Sequence, residues 1–424
     1  QGIFYRRSGI ELSGKVVALF SGQGSQYIEM GRELATNFPQ LRQMHGYMDS
    51  LLLKDNLRSL SSVVFPNPVF SETERQQQID LLQRTEYAQP AIGVLSAGLY
   101  KILQQSGFKP DFVAGHSFGE LTALWVAGVL SEEDYCFLVK ARGQAMAAPK
   151  DPNYDTGAML AVKEDLEKVE VTLKNFPKVS IANLNSPHQV VLAGPTEEIH
   201  KVKSALESTG CTVILLPVSA AFHTPLIAFA QKSFAIATKN VSFNTPQIPV
   251  YTNVTGQEYP QNSEAIQSNL EGHLSSSVLF KQEIENIYKA GGYCFIEFGP
   301  RKILTNLVKD ILGDRPHIAV SLNPSTRRDS DRCLRQAFVK LRVIGLPLKN
   351  LDPYQSLPSI PNQPEGKKKV LSVPLNGSNY VSEKTKERFT KALQNGHQVE
   401  FVNSHQQVSP SIGKIAHKQV SNVK

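Results

Sequence analysis

Short apolar runs alternate with amphipathic segments along about the first 345 residues, and this alternation predicts an α/β fold. The runs that predict buried core strands are residues 15–20, 112–114, 250–252 and 293–298. The segments with helical spacing of apolar residues are residues 89–105, with Pro90 in their first turn, residues 119–129, and a segment that follows Ser131. This periodicity fades from about residue 353, apart from a weak helical stretch near residues 382–394.

A second unit is predicted within residues 157–218, where strands and helices follow a different order. Strands are predicted at residues 157–162, 179–184, 189–193 and 211–218, and helices at residues 164–175 and from Pro195. The order βαββαβ is that of a ferredoxin-like subdomain. We therefore expect residues 156–220 to form a ferredoxin-like subdomain inserted into a large domain that comprises residues 15–155 and 221–345.

The composition is ordinary for a globular protein of 424 residues, with 41% hydrophobic and 20% charged residues, and the length allows two or three folded units. The apolar runs are far shorter than the roughly 20 residues that span a bilayer, and the chain opens without a signal segment. Its four cysteines are widely spaced, which argues against a structural metal site and favours a reducing compartment, the cytoplasm. The chain begins with Gln1 instead of Met, so we expect it to be excised from a longer polypeptide.

The net charge of +7 comes mainly from the C-terminal end. Residues 361–424 hold ten Lys or Arg and four Asp or Glu, a net charge of +6. The preceding residues are nearly neutral and supply no basic stripe for a nucleic acid. We expect residues 346–424 to be a linker followed by a basic, flexible tail, and residues 1–14 to be an N-terminal linker.

The strongest chemical signal is Gly115-His116-Ser117-Phe118-Gly119, which fits G-x-S-x-G between a predicted strand and a predicted helix. This context is that of a nucleophile elbow, in which the glycines allow a tight turn and the serine hydroxyl is exposed. The N-terminus of the following helix would direct backbone N–H groups at the site. The sequence therefore predicts a catalytic serine, the alternative being a plain structural turn.

A nucleophilic serine needs a base. His116 is adjacent to Ser117, and neighbouring side chains diverge on a sharp turn, so we interpret it as a hydrogen-bonding support for the elbow. His223 follows the end of a predicted strand, where the sites of α/β proteins usually lie, and is the candidate base. Its position alone also fits an ordinary core or surface histidine. The order Ser then His fits an α/β-hydrolase-like large domain, although no acid can be singled out to orient the histidine.

Arg142 lies on an apolar helix face. The helix that follows Ser131 has a capping-box-like start, and Arg142 falls on the same face as Tyr135, Leu138 and Val139. A guanidinium held against a core stays charged and needs an anion. Two interpretations remain open, an internal salt bridge and a planar, two-pronged contact with a substrate carboxylate.

The glycine-rich turn at residues 22–26 follows the first predicted strand. It lacks the Lys-Ser/Thr ending of a P-loop, which disfavours nucleotide binding. It is either a simple tight turn or the source of a second backbone N–H for an oxyanion hole beside Ser117.

Taken together, these segments resemble the malonyl-CoA:acyl carrier protein transacylase family, and more closely the acyltransferase domain of iterative type I polyketide and polyunsaturated-fatty-acid synthases. The matching segments, in family order, are FSGQGSQ (20–26), QPA (89–91), GHSFGE (115–120), RG (142–143), NLNSP (183–187), AFH (221–223), NVTG (253–256) and EFGP (297–300). The resemblance covers about residues 15–345. Each segment alone is modest evidence, whereas the ordered set is highly specific.

The resemblance implies a catalytic dyad in which Ser117 is acylated and His223 is its base. In the family a backbone carbonyl orients the histidine instead of an acid, and the resemblance places that carbonyl within residues 277–279. It also implies that the backbone N–H groups of Gln23 and Phe118 form the oxyanion hole.

The resemblance further implies how the substrate is bound. Arg142 would pair with the malonyl carboxylate, and Gln89 and His116 would belong to the substrate site. Phe222 resembles the residue of malonyl-selecting members, since a large ring leaves little room for an α-methyl group.

The implied reaction moves a malonyl group from malonyl-CoA, through a seryl ester, to the phosphopantetheine thiol of an acyl carrier protein, with no permanently bound cofactor. The implied partners are that carrier and neighbouring synthase domains such as a ketosynthase. The main alternative is a serine thioesterase or esterase on a similar elbow. An inactive docking module and a patatin-like lipase are further alternatives.

Overall fold

The computed structural model describes residues 4–5, 12–147, 154–351, 386 and 390–391. The chain divides into one compact unit that spans residues 1–356 and another that spans residues 357–424. In the second unit the three described residues are helical. The predicted C-terminal tail and most of the N-terminal linker therefore lie outside the described residues.

Two four-stranded sheets are present in the described part of the first unit. Their strands are β1 (Lys15–Phe20), β2 (Phe112–Gly115), β3 (Ala158–Lys163), β4 (Ser180–Ser186), β5 (Gln189–Gly194), β6 (Thr212–Leu215), β7 (Gly292–Pro300) and β8 (Ile318–Asn323). One sheet, called the large sheet because it belongs to the predicted large domain, is parallel and has the order β2-β1-β7-β8. The other, called the small sheet, is antiparallel and has the order β4-β5-β3-β6.

Fourteen α-helices lie in the described part of the first unit. They are α1 (Arg32–Asn37), α2 (Pro39–Lys54), α3 (Leu60–Val64), α4 (Glu72–Gln83), α5 (Thr85–Gln105), α6 (Gly119–Val126), α7 (Glu132–Ala145), α8 (Leu166–Leu173), α9 (Thr196–Ser208), α10 (Ala228–Thr238), α11 (Ser263–His273), α12 (Phe280–Lys289), α13 (Ile303–Leu312) and α14 (Ser330–Val343). A 3₁₀ turn at Pro225–Ile227 precedes α10. The predicted α/β fold is thus confirmed as a mixed α/β architecture with two sheets.

The parallel sheet is buried on both faces, which explains the continuous apolar runs of its strands. Residues 16–20 of β1 are all buried, and so is the whole of β2. Beside β1 and β7 the ring of Phe298 lies 5.4 Å from Phe20, 5.4 Å from Phe108 and 5.8 Å from Tyr100, measured between ring centroids. Phe20 and Phe298 belong to the two central strands, so the aromatic cluster lies near the carboxyl ends of these strands, which lead into the site.

Several predicted elements differ in extent from the observed ones. Residues 250–252 make only single bridges instead of a strand, because the chain turns back at once through the hydrogen bond from the Gly256 N–H to the Thr252 carbonyl. Helix α5 begins at Thr85, so Pro90 lies in its second turn. Helix α6 ends at Val126, since Gly128 adopts a left-handed φ of +80°.

The small sheet and its two helices occur in the predicted order βαββαβ. The last strand is shorter than predicted, residues 212–215 instead of 211–218. One face of the sheet packs against α8 and α9 around residues such as Leu160, Val190 and Ile199. The opposite face is therefore available to border the site. Among the described residues, no helix combines the length and the apolar character that crossing a membrane requires.

We predict that Phe298→Ala destabilises the fold by about 3–5 kcal/mol, because it removes a fully buried ring from the aromatic cluster and leaves a cavity. Urea unfolding would measure this change. Phe70→Ala is the matched control, since the Phe70 ring is fully exposed and its loss should change stability by less than about 0.5 kcal/mol. Equal midpoints for the two variants would contradict the assignment of the core.

Candidate active site

The elbow between β2 and α6 places Ser117 in a left-handed conformation, with φ of +50°. This region is rarely occupied by residues other than glycine and often marks a functional site. Gly115 and Gly119 make the turn possible. A Cβ at Gly115 would lie 2.0 Å from the carbonyl carbon of Gly119, and one at Gly119 would lie 2.0 Å from the carbonyl oxygen of Phe20. The G-x-S-x-G spacing thus reflects close backbone contact.

The Ser117 hydroxyl faces His223, with 2.7 Å between Oγ and Nε2. On the other side of the buried imidazole, Nδ1 lies 3.0 Å from the carbonyl oxygen of Ser276 and 3.2 Å from that of His273. Because a carbonyl can only accept, these contacts hold the proton on Nδ1 and leave the Nε2 lone pair for the serine hydroxyl. The structure brings together the two residues that the sequence predicted as nucleophile and base.

The carbonyls that orient His223 belong to His273 and Ser276, whereas the sequence predicted one within residues 277–279. That prediction was wrong by a few residues. The physical reason is that the stretch is engaged elsewhere. The Val278 carbonyl accepts the Leu184 N–H at 2.9 Å, and the Val278 N–H donates to the Ala182 carbonyl at 2.8 Å. Residue 278 thus pairs with β4 of the small sheet, and the preceding turn supplies the carbonyls for the imidazole.

Burial, together with smaller contributions from the positive charge of Arg142 and from the nearby His116, lowers the pKa of His223 from its ordinary value of 6.5 to about 3. The imidazole is therefore neutral at physiological pH and ready to accept a proton. The Nε2 of His116 lies 2.6 Å from the Asn185 Oδ1, so His116 links the elbow to β4 by a hydrogen bond, while its role as a support for the elbow stays a prediction.

Arg142 is 1% exposed and lies on the inner face of α7. Its Nη1 donates to the Gln89 Oε1 at 2.9 Å, its guanidinium lies 5.9 Å from the Phe118 ring, and its Nη2 is buried without a hydrogen-bond partner. No described carboxylate lies within ion-pair distance of Arg142, so the internal salt bridge, one of the two interpretations, does not form in the described part of the chain. The charge of the buried Glu120 acts on the guanidinium only from a longer distance. Burial lowers the pKa of Arg142 to about 10, which leaves it charged.

A cavity of about 1000 Å³ contains the reacting pair and lies between the glycine-rich turn and the inner face of the small sheet. The Gln89 Nε2 donates to the Gln23 Oε1 at 3.1 Å, which connects Arg142 to the cavity wall through two side chains. Within the part of the chain that the structure describes, the N–H groups of Gln23 and Phe118 donate to no protein acceptor. The predicted residues Gln23, His116, Ser117, Phe222 and His223 line the cavity, whereas Arg142 and Gln89 are buried behind its wall.

The role of Asn253 could not be predicted from the sequence, although Asn253 lies in the family segment NVTG (253–256). The Asn253 Oδ1 accepts the Ser117 N–H at 2.6 Å, and its Nδ2 donates to the Gly115 carbonyl at 2.6 Å. It also missed Met159, Ala161 and Val191 as lining residues. The side chains of β3 and β5 alternate between the two faces of the small sheet. Nothing in the sequence showed that the face opposite α8 and α9 borders the cavity.

A serine activated by a neutral imidazole forms and breaks acyl esters, which places this chain among enzymes of acyl transfer. The family model described as an acyl transferase domain matches residues 17–346. The chain belongs to this acyltransferase family. The resemblance predicted from the ordered segments is thereby confirmed.

Three relatives illustrate the match. A polyunsaturated fatty acid synthase polypeptide of Thraustochytrium is 35% identical over 413 residues, which are 95% of this chain but 14% of that polypeptide. The malonyl CoA-acyl carrier protein transacylase of Bacillus subtilis is 32% identical over 320 residues, 74% of this chain and 95% of that protein. A solved type II polyketide synthase acyl-carrier protein in complex with its malonyl-transacylase matches with a TM-score of 0.66 and 30% identity, over 77% of this chain and 99% of the matched one.

We predict that Ser117 acylation by a neutral activated ester, p-nitrophenyl acetate, keeps its rate from about pH 8 down to about pH 5 and falls only below that. Below its pKa of about 3 the imidazole of His223 is protonated and cannot accept the serine proton, whereas above it the base is fully available. The p-nitrophenol burst measures this rate, with circular dichroism to verify folding at each pH. A midpoint near 6.5 would show that His223 titrates like a solvated histidine.

Proposed function

We propose that this domain transfers a malonyl group from malonyl-CoA, through an ester on Ser117, to the phosphopantetheine thiol of an acyl carrier protein within a polyketide- or fatty-acid-type synthase. The proposal rests on one observation above all: a buried, charged guanidinium with a free Nη2 lies 5.9 Å from the ring of Phe118, next to Ser117 in the elbow, and its charge acts on His223. Such a cation is favourable only when an anion joins it, and malonyl carries a carboxylate at the end remote from its thioester.

In the first half-reaction the Ser117 hydroxyl attacks the thioester carbonyl carbon and its proton passes to the His223 Nε2. The developing oxyanion accepts hydrogen bonds from the N–H groups of Gln23 and Phe118, which have no protein acceptor in the described chain. The carbon–sulfur bond then breaks, and CoA leaves as a thiol with the proton from the imidazolium. The product is a malonyl ester of Ser117.

The second half-reaction runs the same steps with the carrier. The phosphopantetheine thiol gives its proton to His223 and its sulfur attacks the ester carbonyl. The oxyanion collapses, the ester bond breaks, and Ser117 recovers its proton. Because each half uses the same base and the same backbone donors, a single site serves both thiols, and the kinetics should be ping-pong.

Arg142 selects the acyl group in this scheme. Gln89 accepts from Nη1 and so fixes the plane of the guanidinium, which leaves Nη2 available for the malonyl carboxylate. Phe222 lies in the cavity wall directly before His223, and its ring limits the space for a substituent on the malonyl α-carbon. Gln89, His116 and Phe222 are thus proposed to shape the substrate site with Arg142.

We also propose the finer description of the architecture. The order β4-β5-β3-β6 of the small sheet supports a ferredoxin-like subdomain of residues 156–220, inserted into an α/β-hydrolase-like domain of residues 15–155 and 221–345. The chain corresponds to only 14% of the similar synthase polypeptide, which supports neighbouring synthase domains joined to this one by linkers. Four unpaired cysteines, all buried, favour a reducing compartment such as the cytoplasm.

We predict that Ser117→Ala loses all covalent radiolabel from malonyl-CoA, because no other nucleophile meets the His223 Nε2 among the described contacts. Intact mass spectrometry would register the missing malonyl adduct. Ser106→Ala is the control: Ser106 is also buried, but its hydroxyl contacts the Ile102 and Asn350 carbonyls instead of a histidine. Full labelling of the Ser117 variant would rule out this nucleophile, and free malonate in place of malonyl-carrier from the unmodified chain would favour the thioesterase alternative.

We predict that Arg142→Ala lowers kcat/KM for malonyl transfer by about 2–4 kcal/mol of transition-state free energy and affects acetyl transfer far less, because acetyl has no carboxylate. Steady-state kinetics with both CoA thioesters would measure the ratio. Lys140→Ala is a matched control on the same helix, since Lys140 pairs with Asp55 at 2.6 Å and should affect both substrates equally. An equal loss for malonyl and acetyl in the Arg142 variant would contradict the carboxylate role.

A further inference from the structure

We propose that Asn253 is a positioning residue that holds the elbow of Ser117 in its reactive conformation and ties it to the segment that orients His223. The inference rests on the proposed use of these two residues in acyl transfer. Asn253 is fully buried and reaches the elbow from a turn 136 residues further along the chain.

The side-chain amide of Asn253 bonds to the residue on each side of His116. Its Oδ1 accepts the Ser117 N–H at 2.6 Å, and its Nδ2 donates to the Gly115 carbonyl at 2.6 Å. The two contacts fix the orientation of the amide, because an N–H can only donate and a carbonyl can only accept. A short side chain with one acceptor and one donor is therefore needed at this position.

The elbow needs such support because Ser117 is held at a φ of +50°, which a serine adopts only when its surroundings impose it. Within the described residues the Ser117 N–H has no acceptor other than Asn253. Without the amide, a buried donor would lose its partner and the turn could relax. The hydroxyl would then move away from the His223 Nε2.

On its other side Asn253 contacts the start of α12. Its Nδ2 donates to the Glu283 Oε2 at 2.8 Å, and its backbone carbonyl accepts the Leu279 N–H at 2.9 Å. Leu279 follows Ser276 by three residues, and the Ser276 carbonyl holds the His223 Nδ1. One residue thereby links the nucleophile to the support of its base.

Two buried carboxyl groups meet Asn253 and differ in their hydrogen bonding. Glu120 accepts from the Asn253 N–H at 2.6 Å, from the Thr252 hydroxyl at 3.3 Å and from the Tyr259 hydroxyl. Within the described residues Glu283 accepts only from the Asn253 amide, and its Oε1 is buried without a partner. Burial and the nearby Glu120 raise the pKa of Glu283 well above its usual range, which favours the neutral acid. Burial raises the pKa of Glu120 only to about 7, because its three donors and the charge of Arg142 oppose the rise.

A neutral Glu283 has nearly the shape of glutamine, which gives a sharp pair of variants. Glu283→Gln keeps an oxygen for the Asn253 amide and no new charge, so we expect kcat within about threefold of the unmodified chain. Glu283→Ala removes the acceptor, and we expect kcat to fall roughly tenfold. A large loss in the Gln variant, equal to that in the Ala variant, would overturn the role of Glu283 as a neutral acceptor.

The decisive test is Asn253→Ala, followed by the p-nitrophenyl acetate burst, malonyl-transfer kinetics and thermal unfolding. We expect the burst rate and kcat to fall about 100-fold or more while KM for malonyl-CoA changes less than about threefold, since the substrate contacts remain. Asn323→Ala is the matched control, because Asn323 is equally buried but donates to the Tyr27 hydroxyl. We expect it to lose stability and to retain its burst rate.

An Asn253→Ala variant that is folded and shows the normal burst rate would overturn the proposal. The proposal would also fail if the burst rates of Asn253→Ala and Asn323→Ala both decreased only in proportion to their loss of thermal stability. If Asn253→Ala does not fold, the two Glu283 variants decide. The burst reports Ser117 acylation whatever the natural acyl group is. A wild-type chain that shows the burst but no malonyl transfer would therefore refute the proposed function without removing the test of Asn253.

Discussion

The hydrogen bond between the Ser117 hydroxyl and the His223 Nε2, 2.7 Å long, is the interaction on which the rest of the site depends. Its two ends come from segments 106 residues apart, and each is held in an unusual backbone conformation, with φ of +50° for Ser117 and +62° for His223. Strain of this kind persists only where the surroundings over-determine it. Three features impose these conformations. The glycines allow close backbone contact, the carbonyls hold the imidazole, and the Asn253 amide holds the elbow.

The electrostatics of the site follow from the absence of a carboxylate beside the imidazole among the described contacts. Two carbonyl oxygens orient His223 without giving it a negative charge, and burial with a nearby guanidinium keeps it neutral. The guanidinium of Arg142 keeps one nitrogen, Nη2, without a hydrogen-bond partner, while the charge of Glu120 acts on it only from a distance. A bound carboxylate would offset this positive charge and raise the pKa of His223, so the correct substrate would itself strengthen the base.

Sequence alone predicted the elements whose patterns are local and the residues whose motifs are specific. The apolar runs of β1 and β2, the turn around Ser117 and the burial of Arg142 follow from spacing and from glycine chemistry. Tertiary contacts determine three features that the sequence did not predict. These are the single bridges at residues 250–252, the full extent of α5 and the use of the His273 and Ser276 carbonyls. Backbone carbonyls have no residue-type signature, and the pairing of Val278 with β4 shifted them away from the expected stretch.

The pairing of Val278 with Asn183 joins the small sheet to the segment just after the turn that holds the imidazole. The sheet also forms one wall of the cavity, so the wall and the support of the base share a backbone connection of a few residues. Residues 276–278 therefore serve two purposes at once, because the Ser276 carbonyl orients the His223 imidazole and residue 278 fastens the cavity wall to the same short segment. The position of the small sheet and the position of the imidazole thus share one backbone anchor.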